Sequence, residues 1–528
     1  MTRVLWIVMA AVLSLGGLAA SHPARAAAPA GGLGKLKHII VIFQENRSFD
    51  HYFGVLPYAP GSPYHHARTC AAGDHACVDG LTCKLTPDGA LDCADWNAHA
   101  DGRRVYAFHA ANRCIAPDVD HEWQGSHRDA NFAHPERSLT DPKNDGFVMQ
   151  NDVMAPDTHR TGPADGGRAM AYYTQADIPF YYDVAEKFAI SDRYFSSLLG
   201  ASDPNHAFHL TGSFFGHLTD EEKAPPRPDG YKPPQGTIYD LLSARHVDWA
   251  ESYQDIPEGA AYLHFTSVTD DSQNDPHFIH HADLLDRLKG RPGAKALPSV
   301  VWVNARIGYF DKGATTNNEH PSSDIQRGQA WVSQLLNDLR HGPYWKDSAV
   351  LITYDEGGGF YDHVKPPRAP QGGQRTPDGL DPGACADAPN VPAAARSGGG
   401  APCLRERKIG TTYDEILGLC PQYDPARPYP AACPNYDQLG FRAPLMVVSP
   451  FAKRSYVSHR VADHTSLLAL IEKRFLTGPD GKTRHLTLRD ANAWTLEDMF
   501  DFRSSPSLKT RLSAPAPPPA VDCSPIPH

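Results

Sequence analysis

The stretch Ile39-Ile40-Val41-Ile42-Phe43-Gln44-Glu45-Asn46-Arg47-Ser48-Phe49-Asp50 decides how the rest of the chain is read. Five apolar, mostly β-branched residues run without alternation, the pattern of a strand buried on both faces of a parallel sheet. Past Gln44 come a carboxylate, an amide and a guanidinium. In open α/β sheets the ligand crevice lies just beyond the carboxyl ends of the strands. Glu45 and Asn46 would project hard oxygen ligands there, and Arg47 would pair an anion or brace the loop. A capped strand-to-helix turn without chemistry fits the same residues. A second strand that ends in acids, far down the chain, decides between them.

That second strand belongs to a strand-helix-strand pattern. Residues 299–303 are a buried-strand candidate, and Asp324 opens a helix whose Trp331, Val332, Leu335, Leu336 and Leu339 recur at helical spacing. Residues 349–354 then read as a strand ending in Asp355-Glu356-Gly357-Gly358-Gly359. This is the βαβ unit of a parallel sheet, with three glycines that let backbone pass close to a bound group. Residues 445–450 restore the sheet, and Asp463-His464-Thr465-Ser466 opens an amphipathic helix through Phe475.

Around this frame the 528 residues suffice for one large α/β domain with insertions. A formal net charge of -11 argues against nucleic acid, which needs a basic stripe. Arg3, an apolar core over residues 4–18 and Ala24-Arg25-Ala26 read as a secretory signal over residues 1–26, with periplasmic or secreted localisation. A single arginine ahead of the apolar core favours the general secretion route over the twin-arginine one. No later stretch is long enough to span a membrane. Ten cysteines fit an oxidising compartment: five between 70 and 114, four between 385 and 433, and Cys523. No tight CxxC pair points to zinc, and an odd cluster of five suggests that Cys523 is stapled to it. The catalytic domain is placed at residues 35–505, with stapled surface insertions at about 60–115 and 366–440. A Pro-rich tail follows over residues 506–528. A tyrosine-rich stretch at 172–182 reads as helix-like core.

Glu45, Asn46, Asp355 and Glu356 make an oxygen-rich site for a divalent cation. Between them in sequence lies Gly200-Ala201-Ser202-Asp203-Pro204-Asn205-His206, a turn that could expose Ser202 as a nucleophile. Coordination to a cation would lower the pKa of that hydroxyl and orient it toward phosphorus.

These segments, with Glu319-His320-Pro321, Phe360-Tyr361-Asp362-His363-Val364 and Asp463-His464-Thr465-Ser466, resemble a bacterial phosphoesterase superfamily. It comprises respiratory-burst-inhibiting acid phosphatases and phosphatidylcholine-type phospholipases C, and the motifs fall in its order over residues 37–475. The resemblance implies an alkaline-phosphatase-like α/β fold: a central, mostly parallel sheet flanked by helices, with one divalent metal at the strand ends. It implies Glu45, Asn46, Asp355, Glu356 and Ser202 as metal ligands, and Ser202 as the nucleophile that takes the phosphoryl group. His121 and His320 would surround the phosphate, one of them protonating the leaving alcohol. Asn205, His206 and Arg47 would contact substrate, while Asp362, His363, Asp463 and His464 would brace the loops.

Two departures shape the functional reading. His206 stands where family members commonly carry Arg, which removes a bidentate phosphate donor. Ser202 matches the acid phosphatases, whereas the phospholipases C typically carry Thr, and the larger phospholipases append C-terminal β-rich domains where this sequence runs on only briefly past Phe475. The leading expectation is therefore a secreted, metal-dependent acid phosphatase acting on small phosphomonoesters through a phosphoserine. The alternative is a phospholipase C acting on phosphatidylcholine-like lipids, which would need an apolar rim from the tyrosine-rich stretch or the loops. A third reading, a non-catalytic binding protein on the same fold, would expect the acids or the hydroxyl to be lost, and none is.

Overall fold

The computed structural model describes residues 32–115, 118–153, 165–213, 236–257, 275–308, 315–321, 323–370, 419–422, 433 and 437–515. The expected signal peptide, residues 516–528 and most of the second insertion lie outside the described residues.

Eight strands form the central sheet: β1 (His38–Gln44), β2 (Ala189–Ser191), β3 (Trp249–Tyr253), β4 (Phe278–His280), β5 (Val300–Asn304), β6 (Ser348–Tyr354), β7 (Leu445–Val448) and β8 (Tyr456–Ser458). Their spatial order is β4-β3-β5-β1-β6-β7-β2-β8. Neighbours pair in parallel except β7, which runs antiparallel to both β6 and β2. The mostly parallel α/β sheet read from the sequence is therefore present. β1 lies between the two strands of the predicted βαβ unit, with Ile39 opposite Val300 on one side and Ala349 on the other. A strand so enclosed must be apolar on both faces, which is why residues 39–43 do not alternate. Each of these five side chains is at most 4% exposed. Burial of such side chains contributes about 1.5–3 kcal/mol apiece.

The helices among the described residues are α1 (Phe49–Phe53), α2 (Trp123–Ala130), α3 (Phe147–Val153), α4 (Pro179–Lys187), α5 (Ser202–Thr211), α6 (Ile238–Ala244), α7 (His281–Lys289), α8 (Ile325–His341), α9 (His464–Phe475) and α10 (Leu488–Asn492), of which α8 and α9 follow the signals read from the sequence, while α5 begins where a turn was expected. Asp324 caps α8 by accepting from the Gln326 amide, and Trp331, Val332, Leu335, Leu336 and Leu339 form its buried face. Asp463 and Ser466 close a reciprocal capping box on α9.

Two expectations change. Tyr172 lies in a two-residue strand, Ala171–Tyr172, paired with Phe108–His109, and the helix begins only at Pro179. The Asp177 carboxylate accepts from both the amide and the hydroxyl of Thr174, closing a turn that separates the two elements. The first insertion is also more than surface. Disulfides Cys70–Cys77 and Cys83–Cys93 staple its short strands, and Cys114 is disulfide-bonded as well. Its Asp79 is 3% exposed and reaches inward to Arg193 and His363. Cys420–Cys433 staples the second insertion, while the expected tie of Cys523 falls outside the described residues. Residues 506–515 form neither helix nor strand. Among the described residues, no helix is long and apolar enough to cross a membrane.

Candidate active site

The parallel pairing of β1 with β6 sets Gln44 beside Tyr354, so both chains release their acids at the same level of the sheet. One residue later the Asp355 amide donates to the Gln44 carbonyl at 3.1 Å. Asn46 then turns through φ +61°, the left-handed region that Asn tolerates better than most residues. Its amide donates to Asp355 Oδ1 at 2.8 Å, and the Arg47 amide donates to the Glu356 carbonyl at 3.1 Å. Gly358 has φ +65°, and a Cβ there would lie 2.3 Å from the Asn46 carbonyl oxygen, so only glycine fits. The Gly358 amide donates to Glu356 Oε2 at 2.6 Å.

Ser202 is the first residue of α5, after the extended Ala201. Its hydroxyl donates to Asn46 Oδ1 at 3.3 Å, and Asn46 Nδ2 lies 3.2 Å from His121 Nε2. His121 Nδ1 sits 2.7 Å from the Val119 carbonyl and must donate to it, so Nε2 is left to accept from Asn46. A chain of hydrogen bonds thus runs from Ser202 through Asn46 to His121. The His320 ring stands edge-on to His121, centroids 5.8 Å apart. Between the two imidazoles lies the Asp118 carboxylate, 4.0 Å from His121 Nδ1 and 3.8 Å from His320 Nε2. Burial pushes the His320 pKa down, but the carboxylates of Asp118 and Glu45 more than offset it, leaving it above the ordinary value. His320 is therefore equipped to carry a proton.

His206 follows Ser202 by one helical turn and shares its face of α5. Its Nε2 points at the carboxylates, 3.9 Å from Glu45 Oε1 and 3.7 Å from Asp355 Oδ2. The structure thus brings Glu45, Asn46, Ser202, Asp355, His121, His206 and His320 together around one crevice at the carboxyl ends of β1 and β6.

Two expected substrate contacts, Arg47 and Asn205, point away from the crevice, and a third, His206, lies in it but faces the acids. Arg47 is fully buried, donates to the Glu319 carbonyl and stacks 5.2 Å from the Phe360 ring centroid. Without exposure it braces the loop instead of pairing an anion. The Asn205 side chain is taken up by its own turn: its oxygen accepts from the Leu198 amide at 2.9 Å and its nitrogen donates to the Leu198, Gly200 and Ala201 carbonyls. That leaves it shaping the Ser202 turn. His206 faces the acids, as described, in place of an anion clamp.

A sequence profile of the Phosphoesterase family matches residues 36–477. The chain belongs to the Phosphoesterase family. Among curated proteins this phosphoesterase is 28% identical over 486 residues to non-specific phospholipase C1 of Arabidopsis thaliana, covering 90% of this chain and 72% of that protein. It is 28% identical over 505 residues to phospholipase C A of Mycobacterium tuberculosis, covering 92% of this chain and 81% of the relative. With the non-hemolytic phospholipase C of Burkholderia pseudomallei the identity is 27% over 513 residues, covering 90% of this chain and 60% of the relative.

The remaining motif residues of the phosphoesterase hold the crevice from behind. Arg442 donates through Nε to both oxygens of Asp362, at 2.9 and 3.0 Å, and through Nη2 to Asp50 at 2.9 Å. His363 bridges Asp50 at 2.6 Å and Asp79 at 2.9 Å. Asp463 caps α9 and accepts from Arg489 at 2.8 Å. His464 donates from Nε2 to the Asp355 carbonyl at 2.5 Å, and its Nδ1 accepts from Tyr194 at 2.8 Å. Burial holds this imidazole neutral, well below its ordinary pKa.

Sequence reasoning missed Glu319. Its fully buried carboxylate accepts from Tyr52 and Tyr181 at 2.5 Å, Tyr354 at 2.8 Å and Gln44 at 3.1 Å. Burial raises its pKa, against the lowering effect of the tyrosine hydroxyls. Glu319 has φ +71°, and it sets the direction of the chain into His320. The tyrosine-rich stretch, read as core, was the available signal: buried phenols require an acceptor. Asp118 was missed too, and only its position three residues before His121 hinted at it.

Proposed function

We propose that this phosphoesterase is an exported phospholipase C, hydrolysing the bond between phosphorus and the diacylglycerol oxygen of phosphatidylcholine-like lipids. The observation that carries the choice is that the relatives matched over about nine-tenths of the chain are named phospholipases C. A phosphomonoesterase stands second and rests on Ser202 in place of Thr.

An apolar surface supports the lipid reading. The tyrosine-rich stretch lines it with Tyr172 and Tyr182 but does not supply exposed apolar side chains. The first insertion does: Leu85, Tyr106 and Phe108 are exposed by 66, 47 and 41%, and they line a groove of about 1000 Å³. Exposed apolar side chains gathered on one groove offer a surface on which lipid could rest.

The site also fits a divalent ion. Asp355 Oδ2 is buried without a hydrogen-bond partner, with His206 Nε2 3.7 Å away, as an oxygen reserved for a cation would be. Glu45, Asn46, Ser202, Asp355 and Glu356 would hold the ion, which would supply Lewis-acid stabilisation of charge on the phosphoryl oxygens. Ser202 Oγ attacks phosphorus in line, giving up its proton to solvent and forming the serine O–P bond as the P–O bond to diacylglycerol breaks. The α5 amino terminus favours the negative charge that gathers there. His320 gives its proton to the departing alkoxide. Water then gives a proton to His320 as its oxygen attacks phosphorus and the serine O–P bond breaks, and Ser202 regains a proton from solvent as the phosphorylated headgroup leaves.

Release of phosphocholine from phosphatidylcholine vesicles, compared with hydrolysis of a chromogenic phosphomonoester, tests the reading. Diester turnover well above monoester turnover is expected. The reverse preference would install the acid phosphatase.

A further inference from the structure

We propose that His206 is itself a ligand of the divalent ion, so that this chain builds a mixed nitrogen and oxygen site. The inference rests on the metal reading above and goes beyond it, because the residues implied by family resemblance are all oxygen donors. The arginine common at this position could not ligate a cation. A histidine can.

Helix geometry supplies the first argument. Ser202 and His206 are four residues apart on α5, so a side chain at 206 lies over the same face as the nucleophile. The second is direction. Nε2 is aimed at two carboxylates from two different strand ends, 3.9 Å from Glu45 Oε1 and 3.7 Å from Asp355 Oδ2. Ligand bonds of about 2.0–2.2 Å place neighbouring donors roughly 3 Å apart or slightly more. A shift of several tenths of an ångström in each side chain would close all three atoms on one ion. The third is fixation. The ring packs edge-on against Phe43, centroids 5.1 Å apart, and Phe43 is stacked at 4.0 Å on His209. His206 itself is 3% exposed. A ring so enclosed is oriented before any ion arrives.

An imidazole among carboxylates changes which ion is retained. Oxygen-only sets suit Mg²⁺, Ca²⁺ and Mn²⁺, whereas a nitrogen donor favours borderline ions such as Zn²⁺. The rival role for His206 is an imidazolium that neutralises Glu45 and Asp355 from outside the coordination sphere. The two roles differ in whether nitrogen touches the ion.

The test uses the full mature protein, stripped with chelator and reloaded with Mn²⁺, in pulsed electron paramagnetic resonance. Directly bound imidazole gives a ¹⁴N coupling that an outer imidazole does not. The coupling is expected in the wild type and in His209→Gln, and is expected to vanish in His206→Gln. Calorimetric titration of the same variant should show Zn²⁺ affinity falling at least about tenfold, as loss of metal-site groups typically does, with Mg²⁺ affinity falling less. Absence of the coupling in the wild type, or its persistence in His206→Gln, would overturn the inference while leaving an oxygen-ligated metal. The wild-type spectrum decides this even if the variant folds poorly. No Mn²⁺, Zn²⁺ or Mg²⁺ binding to the wild type at all would overturn the metal reading and this inference with it.

Discussion

Asp355 Oδ1 accepts a hydrogen bond from the Asn46 amide at 2.8 Å, joining two strand ends that are 309 residues apart in sequence. The bond fixes Asn46 in its left-handed conformation. From there its side chain reaches Ser202 on one side and His121 on the other. The crevice is thus assembled by strand register first and by side chains second. Changes that disturb the register or this turn should cost activity as surely as changes to the reacting groups.

Ser202→Ala should abolish turnover on every phosphoester tested, by at least about 10³-fold, the scale on which nucleophile removal acts in other hydrolases. The hydroxyl donates only to Asn46 among the bonds described for it, so thermal stability should change by less than about 1 kcal/mol. Rapid quench with ³²P-labelled substrate should trap phosphoprotein in the wild type and none in the variant. Turnover within tenfold of the wild type would remove Ser202 from the nucleophile role.

Gly358→Ala tests the turn. The added Cβ would stand 2.3 Å from the Asn46 carbonyl oxygen at a residue with φ +65°. Strain and displacement together should destabilise the fold by about 2–4 kcal/mol. Activity should fall about 100-fold, because displacement near 1 Å at a reacting centre costs that much. Chemical denaturation and kcat measured on one preparation check both. Unchanged kcat with lowered stability would show that Asn46 need not be held where it is.

The frame of the site was legible because residues 39–43, 300–303 and 349–352 are uninterrupted apolar runs, and because Asp324 and Asp463 cap helices with recognisable partners. Its interior was not. Arg47 and Asn205 look from sequence like anion-binding groups, yet tertiary packing turns one toward the Glu319 carbonyl and the other onto its own turn. A side chain's residue type limits what it can bond, and only the surrounding backbone decides which bond it makes. Glu319 shows the converse. Its role depends on three tyrosines from α1, α4 and β6, and nothing local to residue 319 announces them. The antiparallel β7 was equally hidden, since a four-residue apolar run carries no direction.

Glu319→Ala should be among the most damaging single changes in the chain. It removes the acceptor for three buried phenols and the Gln44 amide, at a cost of about 3–5 kcal/mol. Glu319→Gln keeps the shape and one acceptor oxygen, so about 1–2 kcal/mol is expected. Denaturant titration of both variants beside the wild type checks the ranking. A Gln variant as unstable as the Ala variant would mean that the negative charge matters more than the hydrogen bonds.

Stability should also respond to alkali through His363. Burial opposes its protonation, but the Asp50 and Asp79 carboxylates prevail over it and over nearby Arg442, and its pKa is raised to about 10. Asp50 and Asp79 are correspondingly held below the ordinary carboxylate range, by His363 and Arg442 against burial. A raised imidazole pKa means that the folded state binds a proton the unfolded chain gives up near 6.5. Its contribution is therefore complete below about pH 6.5, declines through the interval up to about 10, and is gone above it. Asp362, pushed up to about 6 mainly by burial, adds a smaller loss between the ordinary carboxylate value and pH 6. The acid limb runs the other way: the Asp50 and Asp79 contributions are present above about pH 4 and vanish as pH falls below it. Urea denaturation of the wild type and His363→Gln at pH 6.5, 8 and 9.5 isolates the imidazole. The gap between the two proteins should be several kcal/mol at pH 6.5 and shrink steadily toward pH 9.5, at about 1.4 kcal/mol per pH unit once His363 is the titrating group. A gap that stays constant across that range would show that His363 holds Asp50 and Asp79 by hydrogen bonding alone, without its charge.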